Sequence, residues 1–172
     1  MKEVLKALAI QPSNVVVDAT IGGAGHFKAL LSELGEDGVI VGIDADSEAV
    51  ERGREAYAMD RRPERPVAHL VNDNFRNLAH ILERLGVAPV NATLFDLGWS
   101  GYQIASPRGF SFSARGGPAS GGQINEPLLM TYGLPAQAGE DGLTAADIVN
   151  SFSETELASI IFNYGEERFA RS

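Results

Sequence analysis

Short apolar runs rich in β-branched residues recur in the first part of the chain, and a segment of helical character follows each of the first three. The runs are VVVD (15–18), VIVGID (39–44), VAHLVN (67–72) and ATLFDLG (92–98). The segments between them predict helices over about 26–34, 47–59 and 75–85. Strands that alternate with helices at a spacing of about 25 residues are typical of right-handed βαβ units. The sequence therefore predicts an α/β fold built on a parallel sheet.

The alternation stops after Asp96, and the remaining sequence predicts a different organisation. Residues 97–141 are rich in glycine, proline and serine, and a loop of this length is usually functional or disordered. Two short helices are expected beyond it, each opened by a capping box. The boxes pair Thr144 with Asp147 and Ser153 with Glu156. Two further helix ends are predicted, with Ser47 as the N-cap of the second helix and Gly165 as the C′ residue of the last.

These patterns divide the chain into three segments. Residues 1–98 are the predicted Rossmann-like half, 99–142 a Gly/Pro/Ser-rich active-site loop region, and 143–172 the start of a helical region. Four parallel strands make only part of a doubly wound sheet, and an open sheet with one half missing exposes an edge. The chain is therefore expected to be either a small variant or a piece of a longer protein.

Composition excludes several classes of protein. A chain of 172 residues fits a single domain, and its apolar runs are too short for the roughly 18–20 residues that span a bilayer. The N-terminus lacks the pattern of a signal peptide, so we expect a cytoplasmic protein. The absence of cysteine excludes disulfides and thiolate metal sites. No metal is predicted, because His69 and His80 lack acidic partners at metal-ligand spacing. The net charge of −9 argues against a surface that broadly coats nucleic acid.

The stretch DATIGGAGH (18–26) forms a glycine turn between the first strand and the first predicted helix. Ligands of open parallel sheets bind at the carboxyl ends of the strands. Polar residues stand at all four of these ends: Asp18, Asp44, Asn72 to Phe75, and Asp96. The dinucleotide fingerprint G-x-G-x-x-G fails, because Lys28 stands where its third glycine belongs.

Three converging carboxylates favour a cationic nucleoside over a pyrophosphate. S-adenosylmethionine has no phosphate and carries a sulfonium and an ammonium. We expect Asp18 to face this positive end, Asp44 to accept hydrogen bonds from the ribose hydroxyls and Phe75 to offer an apolar face to adenine. Each residue could instead have a purely structural role, since a strand-terminal aspartate can cap the next helix and a glycine turn can simply be tight.

Six motifs follow one another over nearly the whole chain. They are DATIGGAGH, GIDAD (42–46), NDNF (72–75), FDLGWSGYQ (95–103), RGFSF (108–112) and YGEERFA (164–170). In order and spacing they resemble the RsmH (MraW) family, and the last two are not generic Rossmann features. The resemblance implies a partial class I methyltransferase fold with the start of an inserted helical domain. It also implies S-adenosylmethionine-dependent methylation of the 4-amino group of a cytidine in small-subunit (16S) ribosomal RNA, with the small ribosomal subunit as partner.

The resemblance also implies which residues contact the cofactor. They are Ala24, Gly25 and His26 in the turn, Asp44 at the ribose, Phe75 near adenine, Asp96 at the fourth strand end and Gln103 beyond it. Gln103 is implied by the resemblance alone. Asp96 is also the best-placed acceptor for the target amine and hence the candidate catalytic residue, unless it only binds the cofactor. His26 could be a catalytic base, although a histidine that opens a helix is more often structural.

The chain departs from the family pattern at several positions. It begins inside the family's first helix, carries GGPASGGQINEP (116–127) in place of a Met- and Asp-containing stretch, and has Gly101 where the family has a serine. The family continues past YGEERFA with more of the helical domain, the returning strands and a Ser-Phe-His motif. We therefore expect an N-terminal portion that binds the cofactor weakly and has little or no activity alone.

Candidates for RNA contact are expected to flank the site. They are Arg108, Arg115, Arg168 and Arg171. Trp99 and Tyr102 could stack on a flipped base or plug the mouth of the sheet. A second set of arginines is expected to form a solvated face, with an RNA-backbone patch as the alternative. This set is Arg52, Arg54, Arg61, Arg62 and Arg65.

Two other functions stay open at this point. One is a nicotinamide-dependent oxidoreductase, which the broken fingerprint and Asp18 disfavour. The other is a truncated module that binds cofactor and methylates nothing.

Overall fold

The computed structural model describes residues 1–110, 127–131 and 143–171. They belong to two compact units, Met1–Tyr102 and Gln103–Ser172. The first unit contains α1 (Lys2–Leu8), β1 (Val15–Asp18), α2 (Gly25–Glu33), β2 (Val39–Asp44), α3 (Ser47–Met59), β3 (Val67–Asn72), a 3₁₀ turn (Phe75–Asn77), α4 (Leu78–Leu85) and β4 (Ala92–Leu94). A short helix α5 (Gly101–Ala105) follows, and the second unit contains α6 (Ala145–Ser151) and α7 (Glu154–Gly165).

The four strands form one parallel sheet in the order β3-β2-β1-β4. The predicted α/β fold with a parallel sheet is therefore confirmed. In the register of the sheet, Asp18 lies level with Gly42 of β2 and Leu94 of β4. Strand β4 is shorter than the predicted 92–98, because beyond Leu94 the N–H of Asp96 bonds to the Thr20 side chain instead of a strand partner.

Helices cover both faces of the sheet. On one face the buried residues include Val16, Ile40, Phe27, Leu30 and Val50. On the other face they include Val17, Val41, Ile43, Ile81 and Val87. Strands β1 and β2 thus lie between two apolar layers, which explains why their sequences are apolar on both faces rather than alternating.

Two helix ends differ from the sequence prediction. Asp46, not Ser47, is the N-cap of α3, because Asp46 has extended backbone and its side chain accepts a hydrogen bond from Glu48 N–H at 3.0 Å. Helix α7 includes Gly165, and Glu166 takes the left-handed conformation in its place, with its N–H bonded to the carbonyl of Ile161. The capping boxes that open α6 and α7 are both confirmed.

The structure describes only part of the predicted loop region. Helix α5 lies inside the predicted loop region and was not expected from the sequence. The stretch SARGGPASGGQ (113–123) lies outside the described residues. Within the described ranges, no helix has the length and apolar character needed to cross a membrane.

Candidate functional site

Asp18 lies at the centre of the carboxyl edge of the sheet, at the end of β1. It is fully buried, and its Oδ1 accepts a hydrogen bond from Thr20 N–H at 3.2 Å. Its Oδ2 has no hydrogen-bond partner in the described part of the chain. Burial raises the pKa of Asp18 to about 6, and the nearby carboxylates of Asp44 and Asp96 add to this rise, while the Thr20 hydrogen bond and His26 oppose it. Asp18 therefore holds a buried negative charge at neutral pH that the described residues compensate only in part.

Asp44 joins the end of β2 to the glycine turn. Its Oδ2 accepts a hydrogen bond from Gly22 N–H at 2.8 Å, and its Oδ1 accepts one from Asp46 N–H at 2.9 Å. Asn72 reinforces this corner from β3 by donating its side-chain amide to the backbone carbonyl of Asp44. Burial raises the pKa of Asp44, although both backbone hydrogen bonds lower it. Each carboxylate oxygen keeps a second lone pair, so Asp44 can still accept hydrogen bonds from a ligand.

Asp96 lies on the other side of β1, just beyond β4. Its backbone N–H donates to Thr20 Oγ1 at 2.9 Å, which fixes the loop after the strand. Its Oδ2 lies 3.2 Å from Nδ1 of His26, and the Asp96 side chain is 62% exposed. The structure therefore brings the predicted residues Asp18, His26 and Asp96 together, with Asp96 as the carboxylate most open to solvent. Thr20 was missed by the sequence analysis, since its contact spans 76 residues.

An aromatic pair stands at the same edge. The rings of Phe75 and Phe95 are 5.6 Å apart and nearly perpendicular at 83°, and both side chains are partly exposed. Phe75 is the residue predicted to contact adenine. Phe95 was missed, although an aromatic residue directly after a strand that ends at the ligand edge is a signal that could have found it. Together the two rings form a partly exposed apolar surface.

The glycine turn leaves open space at Gly25. Gly22 has a φ of +51°, and Ala24 at the N-cap of α2 has a φ of 60° and is buried. The N–H of Ala24 donates to the carbonyl of Ile21, which closes the turn. A Cβ built on Gly25 would meet no atom within 4 Å. The turn can thus accept close approach of a ligand at Gly25, the first residue of α2.

Residues 1–172 match the family model described as the MraW methylase family. The chain belongs to the MraW methylase family. Among the curated relatives are three proteins named ribosomal RNA small subunit methyltransferase H. The protein from Syntrophotalea carbinolica is 41% identical over 99% of this chain and 48% of its own length. Those from Dictyoglomus thermophilum and Deinococcus radiodurans are 38% and 39% identical, over 99% and 98% of this chain and 52% and 46% of their own lengths. The chain spans about half the length of the curated relatives it matches.

Membership of the MraW methylase family confirms the resemblance inferred from the six motifs. Gln103, which that resemblance implied, is buried in α5. Trp99 is more than half exposed. Tyr102 is also largely exposed, but its ring edge lies 2.8 Å from the position a Cβ of Gly23 would take. The indole and the phenol therefore both reach solvent after β4, and the Tyr102 ring also lies against the glycine turn.

The arginines predicted for RNA contact lie in the second unit. The Nε of Arg108 donates to Ser106 Oγ at 2.9 Å, and its guanidinium lies 5.8 Å from the ring centroid of Phe110. Arg168 and Arg171 both line a cleft of about 370 Å³ beside α7. Arg115 lies outside the described residues.

The expectation that the other arginines form a solvated face is wrong for two of them. Arg52 and Arg62 both donate to backbone carbonyls of the first unit, and their side chains are 20% and 39% exposed. The expectation holds at Arg54, which is exposed and pairs with Glu51. No group of three or more acidic or histidine side chains in the described ranges is arranged to hold a metal ion.

Proposed function

We propose that this chain is the S-adenosylmethionine-binding part of a methyltransferase that acts on the 4-amino group of a cytidine in small-subunit ribosomal RNA. The family supports methyl transfer, and the names of the relatives support the RNA substrate. The cytidine amine comes from the sequence resemblance. Such a substrate would place the protein in the cytoplasm, with the small ribosomal subunit as its partner.

The observation that carries the cofactor proposal is the buried carboxylate of Asp18. Its Oδ2 lacks a hydrogen-bond partner among the described residues, and Asp44 and Asp96 stand close to it. A cationic ligand at this edge would compensate that charge, whereas a pyrophosphate would be repelled. Since Asp18 is fully buried, it would act through its field rather than through surface contact. The nicotinamide alternative is disfavoured on the same ground.

The other side chains fit the remaining parts of the cofactor. Asp44 would accept hydrogen bonds from the ribose hydroxyls with its free lone pairs, and Phe75 and Phe95 would pack against adenine. The backbone at Gly25, where a Cβ would meet nothing within 4 Å, would allow close approach of the ligand. Ala24, His26 and Gln103 complete the proposed contact set. When bound, S-adenosylmethionine supplies an electrophilic methyl group on a sulfonium.

Asp96 is proposed to act on the target amine. The lone pair of a cytosine amine is delocalised into the ring, so orientation and hydrogen bonding must supply most of the catalysis. Asp96 would accept a hydrogen bond from the amine N–H and take up the proton that the amine loses. His26 Nδ1 lies 3.2 Å from one carboxylate oxygen of Asp96, and this contact would help to hold the carboxylate in place. Arg108, Arg115, Arg168 and Trp99 are the proposed RNA contacts.

Cofactor binding is tested by isothermal titration of residues 1–172 with S-adenosylmethionine, S-adenosylhomocysteine and NAD. We expect weak binding of S-adenosylmethionine, no binding of NAD, and about tenfold weaker S-adenosylmethionine binding in Phe95→Leu, which removes one aromatic contact. Phe169→Leu, at an exposed aromatic residue of the second unit, is the control and should bind as the wild type does. Tight NAD binding would overturn the proposal.

RNA methylation is tested in a complete relative, because the chain spans about half of that length. Transfer of labelled methyl groups to unmodified small-subunit RNA is measured with the aligned Asp96→Asn change and without it. We expect the rate to fall at least about a hundredfold, the range typical for loss of a general acid–base group, with cofactor affinity reduced less. An unchanged rate would remove Asp96 from the mechanism.

A further inference from the structure

Arg52 makes an unusual contact for a residue on the second turn of α3. Its Nε donates to the backbone carbonyl of Gly22 at 2.9 Å, across 30 residues of sequence. The side chain is only 20% exposed, and Glu48 gives it a weak ion pair at 3.9 Å. Its Nη2 is buried with no hydrogen-bond partner among the described residues. The ion pair alone does not account for the burial of this guanidinium, and the contact with the glycine turn must contribute.

Gly22 is held from both sides of its backbone. Its N–H donates to the Asp44 carboxylate at 2.8 Å, and its carbonyl accepts from the Arg52 guanidinium at 2.9 Å. Both are charge-assisted hydrogen bonds, which are about twice as strong as neutral ones. Gly22 has a φ of +51°, in the left-handed region that glycine tolerates. A negative and a positive side chain thus fix two successive peptide planes of the turn.

Tyr102 covers this arrangement. The guanidinium carbon of Arg52 lies 4.7 Å from the centroid of the Tyr102 ring, within the range of a cation–π contact. The same ring lies so close to Gly23 that a Cβ there would be 2.8 Å from Cε2 of the tyrosine. The aromatic face therefore lies against the guanidinium that bonds to Gly22, and a charge-assisted bond is stronger where it is less exposed to water.

We propose that Arg52 and Tyr102 form a clamp that positions the glycine turn for the cofactor. Neither residue is assigned a contact with the ligand, so both are positioning residues. The proposal rests on the proposed function for the identity of the ligand. The proposed effect is preorganisation. A turn that is already fixed in its binding conformation loses less conformational entropy when the ligand binds, so the ligand binds more tightly.

The clamp predicts a specific pattern of affinities for S-adenosylmethionine in residues 1–172. Arg52→Met keeps the length of the side chain without its charge, and Tyr102→Leu removes the ring. Each should weaken binding about tenfold, the effect of one charge-assisted hydrogen bond or buried cation–π contact. Tyr102→Phe keeps the aromatic face and should restore affinity to within about twofold of the wild type. Arg54→Met removes an exposed arginine of the same helix and is the matched control.

The combined Arg52→Met/Tyr102→Leu variant separates a clamp from two independent effects. Substitutions of residues that act through one shared element have non-additive effects. The double variant should therefore bind hardly more weakly than the weaker-binding single variant. Hydrogen exchange of the Gly22 amide, which donates to Asp44, gives a second readout that needs no ligand. This amide should exchange about tenfold faster in Arg52→Met and Tyr102→Leu, and at the wild-type rate in Arg54→Met.

The outcomes are distinguishable. Wild-type affinity in Arg52→Met or in Tyr102→Leu, an equal loss in Arg54→Met, or strictly additive losses would each overturn the clamp. Should Arg52→Met fail to fold, Tyr102→Leu carries the test, because Tyr102 is 58% exposed and its loss should leave the core intact. If the wild-type chain does not bind S-adenosylmethionine, the proposed function fails, and the clamp is then decided by amide exchange alone: unchanged exchange at Gly22 overturns it.

Discussion

The carboxylate of Asp44 accepts the backbone N–H of Gly22 at 2.8 Å and so connects the end of β2 to the turn that follows β1. The second carboxylate oxygen is taken by the N–H of Asp46 at 2.9 Å. Two backbone donors therefore converge on one side chain, and both of its oxygens are needed as acceptors. A residue chosen for ligand binding alone would not require this arrangement, so Asp44 has a structural role beside its proposed role at the ribose.

Asp44→Asn is expected to lower the free energy of unfolding by about 1–3 kcal/mol, since the amide NH₂ must face one of the two N–H donors and leave it unpaired. Asp37→Asn, in an exposed loop, is the matched control and should leave stability unchanged. Urea unfolding at neutral pH measures both. Equal stability of wild type and Asp44→Asn would show that the turn does not depend on this carboxylate.

Asp18 predicts a pH dependence of stability. Its pKa is raised from 3.8 to about 6, so the folded chain holds this proton more tightly than the unfolded chain does. The contribution of Asp18 to stability is therefore most favourable below the unfolded value, falls as the pH rises through this window, and reaches its full cost above about 6. The charged groups that face it are His26, Asp44 and Asp96.

The test compares Asp18→Asn with the wild type by urea unfolding at several pH values. Because asparagine does not titrate, the stability of the variant relative to the wild type should rise by about 3 kcal/mol between acidic and neutral pH, at about 1.4 kcal/mol per pKa unit. Affinity for S-adenosylmethionine should fall in the same variant at neutral pH. A stability difference that is constant with pH would mean that Asp18 ionises normally in the folded chain.

The sheet and its polar edge were predictable from the sequence, and the contacts across that edge were not. Strands β1 and β2 are buried on both faces, so their apolar β-branched runs mark them directly. Parallel strands bring their carboxyl ends to one edge, which is enough to place Asp18 and Asp44 together. These inferences need only local composition and the handedness of βαβ units.

The side-chain contacts that stabilise this edge join residues that are far apart in the sequence. Thr20 contacts Asp96 across 76 residues, and Arg52 contacts Gly22 across 30. A charged residue on a helix is usually solvated, so nothing local distinguishes Arg52 from Arg54. Which arginine turns inward depends on the packing of α3 against the sheet, and that information appears only once the fold is formed.

Arg62 is expected to stabilise the end of α2. Its guanidinium donates to the carbonyls of Leu31 and Leu34 at 2.9 and 3.1 Å, and its hydrogen bonds to Asp60 hold the pKa of that carboxyl below its usual range. Arg62→Ala should therefore lower the free energy of unfolding by about 1–3 kcal/mol, because it removes the side-chain donors to both carbonyls at this helix end and leaves Leu31 with only the N–H of Leu34. Arg61→Ala, at the exposed neighbour, should have no effect.

Arg62→Lys gives a sharper version of this test. A lysine keeps the charge but lacks the planar fork that reaches two carbonyls and a carboxylate at once. It should recover only part of the lost stability in urea unfolding. Full recovery would indicate that charge near the helix end, rather than the hydrogen-bond geometry, stabilises α2.

Alanine substitutions at two glycines test stability and ligand binding separately. A Cβ on Gly42 in β2 would lie 2.9 Å from Cδ1 of Leu70 and 3.0 Å from Cε2 of Phe27, inside the core. Gly42→Ala is expected to cost about 1–3 kcal/mol of stability, as overpacking of a core does. A Cβ on Gly25 would meet nothing within 4 Å, and alanine is a better helix residue by up to about 1 kcal/mol. Gly25→Ala should therefore fold at least as stably as the wild type.

The same Gly25→Ala variant should nevertheless bind S-adenosylmethionine at least about tenfold more weakly, because its methyl group would occupy the open space that the proposed cofactor needs at the turn. Urea unfolding and isothermal titration of the two variants measure the two effects separately. Gly42→Ala should lose stability and, where folded, keep its affinity, since its Cβ would meet the side chains of Leu70, Phe27 and Ile21 rather than the open space at Gly25. Wild-type affinity in Gly25→Ala would mean that the open face of the turn is not where the cofactor lies, and the proposed site at the carboxyl edge would have to be abandoned.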